Sequence, residues 1–163
     1  MQIPEITWLI LVVLGLASFF DLREHRIPNL VTLPTIAFGL VFHVVSGGYD
    51  GLLFALAGFA VGLLCFLPLY ISRGMGAGDV KLMAAAGTLL GPGLALGAVC
   101  LTLAIGAVLA VCVVVKRAVF SRIHLGRHIE SGERFPYAVA IAAGVAIALW
   151  QKPLFLTIFD LGY

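Results

Sequence analysis

Long apolar runs separated by short polar breaks make up nearly the whole chain. The runs cover about 6–20, 30–45, 51–71, 80–90, 94–115 and 135–150. Several approach or exceed the roughly 18–20 residues that cross hydrocarbon as a helix. None alternates with the period of two that the strands of a membrane barrel require. In lipid every backbone polar group must be satisfied within the protein, so each run is predicted to be a helix. Gly91-Pro92-Gly93 divides a stretch too long for one span, because proline stops a helix and glycine permits a turn. The predicted fold is all-α: a polytopic bundle of six transmembrane helices forming one membrane-embedded domain over residues 1–163.

Composition agrees with this pattern. Hydrophobic residues make up 62% and charged residues 11% of the chain, which leaves too little polar surface for a soluble domain of this size. The start, Met1 to Glu5, has no basic residue ahead of the first run, so that run is expected to be retained rather than cleaved as a signal peptide. Placement of charge then orients the bundle. Arg23 and Arg26 follow the first helix, Arg73 follows the third with Lys81 just beyond, and Lys116, Arg117, Arg122, Arg127 and Arg134 follow the fifth. The breaks at Gly47 and Pro92 hold no basic residue, and the C-terminal tail holds only Lys152. By the positive-inside rule both termini face outward and the three basic connections are cytoplasmic. Trp8 and Trp150 then fall near outer helix ends, where interfacial aromatics sit. The polar stretch 116–134 has room for an interfacial helix with Phe120 and Ile123 toward lipid.

This orientation puts two acids at one depth. Asp21 ends the first helix and Asp79 begins the fourth, both on the cytoplasmic side. Carboxylates beside hydrocarbon are costly and mark function. Taken singly, Asp21 reads as a hydrated helix end beside Arg23 and Arg26, and Asp79 as a helix cap. Taken together, two neighbouring carboxyls titrate as a pair, one protonated and one charged. The charged member can take a proton from water while the neutral one donates to an amide, which is general acid–base hydrolysis. Gly74, Gly76 and Gly78 would let the backbone before Asp79 adopt positive φ and a substrate strand come close. The dipole of the fourth helix favours charge on Asp79. A rival class is a small transporter or channel in which the same acids bind a cation or relay protons. Against it, the acids lie at one face rather than at the midplane, and no inverted repeat is visible.

Other candidate groups add little. Cys65, Cys100 and Cys112 lie in apolar runs without a CxxC pair and read as small buried hydrophobes. His25, His43, His124 and His128 lack partners at metal-ligand spacing. No metal, cofactor or nucleic-acid partner is expected. Pro28 is placed to set the start of the second helix, with Asn29 bonding locally or near the acids. Lys81 stands two residues past Asp79 and therefore on a different helix face. Gly58 and Gly62 form a small-xxx-small pair for close helix packing.

The segment Gly76-Ala77-Gly78-Asp79-Val80-Lys81-Leu82-Met83 resembles the GxGD active-site motif of the type IV prepilin peptidases. Asp21 followed by Ile27-Pro28-Asn29 resembles the first catalytic motif of that family, and Phe135-Pro136-Tyr137-Ala138 its last-helix signature. The resemblance implies an intramembrane aspartyl protease of the bacterial inner membrane. Asp21 and Asp79 would be its catalytic pair, with Gly76, Gly78, Lys81, Pro28 and Asn29 shaping the site. It would remove the basic leader from prepilins or pseudopilins at the cytoplasmic face, in contact with the pilus assembly machinery. Many relatives also carry a cytoplasmic N-methyltransferase domain with two cysteine pairs. The chain has no such insertion after the first helix, so it is closer to the small peptidase-only members, such as those of tight-adherence (Flp) pilus systems.

Overall fold

A computed structural model of the chain describes residues 4–24, 28–72, 74–123 and 137–151. These residues form four helices and no strand: α1 (Pro4–Glu24), α2 (Asn29–Ile71), α3 (Ala77–Ile123) and α4 (Tyr137–Trp150). Two of the four are folded back on themselves. In α2, Gly48 leaves helical geometry at φ 59°, and in α3, Gly91 does so at φ 73°. Only glycine takes these angles without a steric penalty. The reversal shows in the contacts: the His43 ring lies 5.2 Å from that of Phe54 across Gly48. Across the second break, Gly87 packs on the Ala95 side chain, although eight residues separate them. An unbroken helix would hold them roughly 12 Å apart. The arms are α2a (29–47), α2b (49–71), α3a (77–90) and α3b (92–123).

The breaks therefore fall between the segments predicted as separate helices. Several ends differ from prediction. The fourth helix starts at Ala77 rather than 80, because Gly76 and Asp79 bond to each other and close an earlier turn. The fifth continues to Ile123 rather than 115, which puts Lys116, Arg117 and Arg122 on a helix and not in a connection. Neither Gly76 nor Gly78 has positive φ. Gly78 lies inside the first turn of α3, so its neighbours already fix its backbone. Phe135, Pro136, Arg73, His25, His124 and His128 lie outside the described residues.

Small residues make up much of the interior, beside larger ones such as Phe66, Leu82, Met83 and Ile141. Ala17, Ala55, Ala84, Ala85, Ala95, Ala98, Ala138, Ala140 and Ala148 are buried, as are Gly58, Gly62 and Gly144. Leu30, Val45, Trp8 and Trp150 project outward at 85, 81, 69 and 88% exposure. An apolar exterior around an interior rich in small residues fits a bundle solvated by lipid tails, where helices associate by close backbone approach. In keeping with this, α2 and residues Ala77–Lys116 are each long and apolar enough to cross a membrane. Two cysteines correct the expectation of burial: Cys100 and Cys112 are exposed. On an outer surface this apolar, a thiol is as well placed as in the core.

At the centre stands α3a, whose residues 82–91 are buried on every side. It runs antiparallel to α2b, with Gly62 against Met83 and Ala84 and Gly58 against the backbone of Gly87 and Gly91. It runs parallel to α2a, with Gly39 against Thr88 and Leu89. α3b meets α4 antiparallel, Gly106 on Tyr137 and Gly144 on Thr102. α1 packs chiefly on α4, its last turn meeting the first turn of α4 at Ala138. The Gly58 contact yields a stability prediction. A methyl there meets backbone that cannot rotate away, so Gly58→Ala is expected to destabilise by about 1–3 kcal/mol. Gly15→Ala, with nothing within 4 Å of the added carbon, is expected to be neutral or to stabilise by up to about 1 kcal/mol. Thermal unfolding of both variants in one detergent measures the contrast.

Candidate active site

Asp21 is the last member of the stripe that buries α1. Ile10, Leu14, Ala17 and Asp21 follow one another at spacings of four, three and four, and all four are buried. The stripe carries the carboxylate into the bundle instead of out to water. Its Oδ2 accepts a hydrogen bond from the Ala138 N–H of α4 at 3.3 Å. Arg23, also in the last turn of α1, does not turn back to the acid. Its guanidinium lies 5.9 Å from the Phe19 ring centroid, over the aromatic face.

Asp79 is the third residue of α3 and equally buried, at 8% exposure for each acid. Its Oδ2 accepts from the Gly76 N–H at 3.2 Å, while its own N–H donates to the Gly76 carbonyl at 3.2 Å. With Gly76 at the N-cap and aspartate at N3, the carboxylate makes the side-chain half of a capping box, and a backbone bond closes the turn. A side chain on Gly76 would crowd the carboxylate, since an added Cβ would stand 3.2 Å from Asp79 Oδ2. Gly76 therefore gives Asp79 both a donor and room.

The two acids come from different helices and are close enough for their charges to interact. Among the described residues no group of three or more His, Cys, Asp or Glu could hold a metal ion around them. Of the other predicted site residues, two bond to each other. Lys81 Nζ donates to Asn29 Oδ1 at 3.0 Å, joining the start of α2 to the first turns of α3. Pro28 is the N-cap of α2, at φ −66° and ψ 138°, and its carbonyl accepts from Val31 N–H at 3.0 Å. Gly78 lies within the first turn of α3. Two contributors went unpredicted: the Ala138 backbone N–H and Ser18, whose hydroxyl donates to the Ala138 carbonyl at 3.4 Å. Ser18 lies three residues before Asp21, on the same helix face, and that spacing was the available signal.

The sequence model of the type IV leader peptidase family matches residues 8–111, a stretch that contains both acids. The chain belongs to this family. Over 93 residues it is 39% identical to the prepilin leader peptidase/N-methyltransferase of Aeromonas salmonicida strain A449, a stretch covering 53% of this chain and 30% of the relative. The protein of the same name from Aeromonas hydrophila is 38% identical over 93 residues, with the same shares covered. The match thus spans under a third of the length of these leader peptidases. No solved structure matches the chain.

For this family member the Lys81–Asn29 bond makes a separable prediction. In a double-mutant cycle of Asn29→Ala and Lys81→Met, the coupling in unfolding free energy is expected to stay below about 1 kcal/mol, because the bond is exposed. Chemical denaturation of the four proteins in mixed micelles measures it.

Proposed function

We propose that the chain is an intramembrane aspartyl endopeptidase that removes the basic leader from type IV prepilins or pseudopilins. The supporting observation is the pairing of Asp21 and Asp79, two buried carboxylates from different helices close enough to interact, both inside the stretch matched by the leader peptidase family. The six arms would cross the bacterial inner membrane, with the acids near its cytoplasmic face and both termini outside. The substrate is a precursor anchored by its own apolar helix with the basic leader left in the cytoplasm. Residues 1–163 act as a single membrane-embedded peptidase unit.

Chemistry follows from one proton shared by two acids. The charged carboxylate removes a proton from water, and the resulting hydroxide attacks the scissile carbonyl carbon. The protonated carboxyl stabilises the developing oxyanion, and a proton passes to the leaving nitrogen as the C–N bond breaks. The peptide must leave helical geometry at the cut, because helical hydrogen bonds occupy its carbonyl and amide. Transport through the same acids is less well supported, since both stand in terminal helical turns rather than at mid-helix.

Co-expression with a prepilin tests the reading. Asp21→Asn and Asp79→Asn keep the side-chain shape but remove the exchangeable proton and the charge. Each is expected to lower processing by about a hundred- to ten-thousandfold, as loss of a general acid–base group does. Mature-length pilin in both variants would refute the assignment, and ion flux lost in both without any cleavage would favour a transporter. With purified enzyme, cleavage is expected to pass through a maximum in pH, since the doubly charged and doubly protonated pairs each lack one required partner.

A further inference from the structure

Asp21 does not reach Asp79 through α1 alone. Ser18 and Asp21, one turn apart on one face, grip both backbone groups of Ala138: the hydroxyl donates to its carbonyl at 3.4 Å, and the carboxylate accepts from its N–H at 3.3 Å. Ala138 is the second residue of α4, so its N–H has no acceptor within its own helix. The residue is 0% exposed, which leaves water no access to replace the bond. α1 packs chiefly on α4 and touches α2 and α3 little. α4 in turn rests on α3b through Gly144 and Thr102, and through Tyr137 and Gly106. The route that sets Asp21 against Asp79 therefore runs through α4. That helix lies beyond residue 111, where the family match ends.

We infer that the first turn of α4 is a working part of the active site: the Ala138 N–H holds the Asp21 carboxylate in register with Asp79, and Ser18 is a positioning residue that keeps Ala138 in place. This rests on the reading of Asp21 and Asp79 as the hydrolytic pair. The partial positive charge at a helix start adds to the single hydrogen bond in orienting a carboxylate. Small displacements of a reacting group cost rate far more than affinity, so the contact acts on turnover.

The test is cleavage of a prepilin by full-length enzyme made by cell-free translation into lipid nanodiscs. Replacing Ala138 by L-lactic acid turns its amide into an ester and deletes the N–H with little change of shape. The same replacement at Ala143 also deletes a backbone N–H of α4 but leaves the contact with Asp21 intact. The ester at 138 is expected to lower kcat roughly ten- to hundredfold, the range for a lost hydrogen bond to a charged group, with KM within about twofold. The ester at 143 is expected to leave kcat within about threefold of wild type. Ser18→Ala is expected to lower kcat and Ser18→Thr to restore it. Wild-type kcat in both the 138 ester and Ser18→Ala, with Asp21→Asn inactive, would overturn the inference and leave the dyad standing. Equal losses from the two esters would also overturn it, since they would trace to helix stability. Full activity in Asp21→Asn would remove dyad and inference together.

Discussion

The close backbone approach of α2b to α3a is the constraint on which the rest of this structure depends. Without water between them, helices in lipid gain little from burying large apolar side chains and associate where small residues let their backbones meet. Gly58 against Gly87 and Gly62 against Met83 and Ala84 provide that approach. They seat α3a so deeply that residues 82–91 are covered on all sides. Both of its ends are then fixed by local chemistry. At one end Gly91 takes a φ of 73° with the Phe54 ring packed against it, and at the other Gly76 and Asp79 close the first turn on each other. The position of Asp79 follows from how α3a is held.

Among the described residues, main-chain donors rather than cations hold both acids. Ala138 N–H bonds Asp21 and Gly76 N–H bonds Asp79. Two described cations close to the acids in sequence are engaged elsewhere, Arg23 over the Phe19 ring and Lys81 on Asn29. The distinction matters chemically. A guanidinium against either carboxylate would favour its charged form strongly and work against sharing one proton between the pair. A backbone N–H orients a carboxylate while still allowing it to be protonated on its other oxygen. On the proposed reading, that is the condition under which one acid can serve as base and the other as proton donor.

Much of this was legible in the residues. Gly91-Pro92-Gly93 marked one reversal, and the stretch around Gly47 and Gly48 marked the other. The spacing of Gly58 and Gly62 marked the close contact, because small residues four apart line one face of a helix. Asp21 and Asp79 stood out because acids in apolar surroundings are rare. Helix ends were less legible. The capping bonds that start α3 at Ala77 depend on one side chain folding back on one amide, and hydrophobic periodicity does not register such a bond. The extension of α3 to Ile123 was hidden for a related reason: basic residues that signal a membrane boundary are also good helix formers. The role of Ala138 was least visible, since its donor is a backbone group common to every residue and becomes specific only when α1 and α4 pack together.

The two acids are anchored unequally, and that inequality bears on how a bulky peptide could reach them. Asp79 stands at the start of a helix buried all round, gripped by two neighbouring helical arms and by its own capping bonds. Asp21 ends a helix that buries one stripe, Ile10, Leu14 and Ala17, and shows Val12, Leu16 and Phe19 to the exterior. Moving α3a would break backbone contacts along its length. Moving α1 would disturb one apolar seam and the pair of bonds at Ala138. Displacements follow the softer coordinate, so the separation of the carboxyls is governed by the seating of α1 on α4, while Asp79 serves as the fixed reference. On the proposed reading, an unwound peptide settling between the acids is accommodated by α1, and the Ala138 contact returns Asp21 to its place.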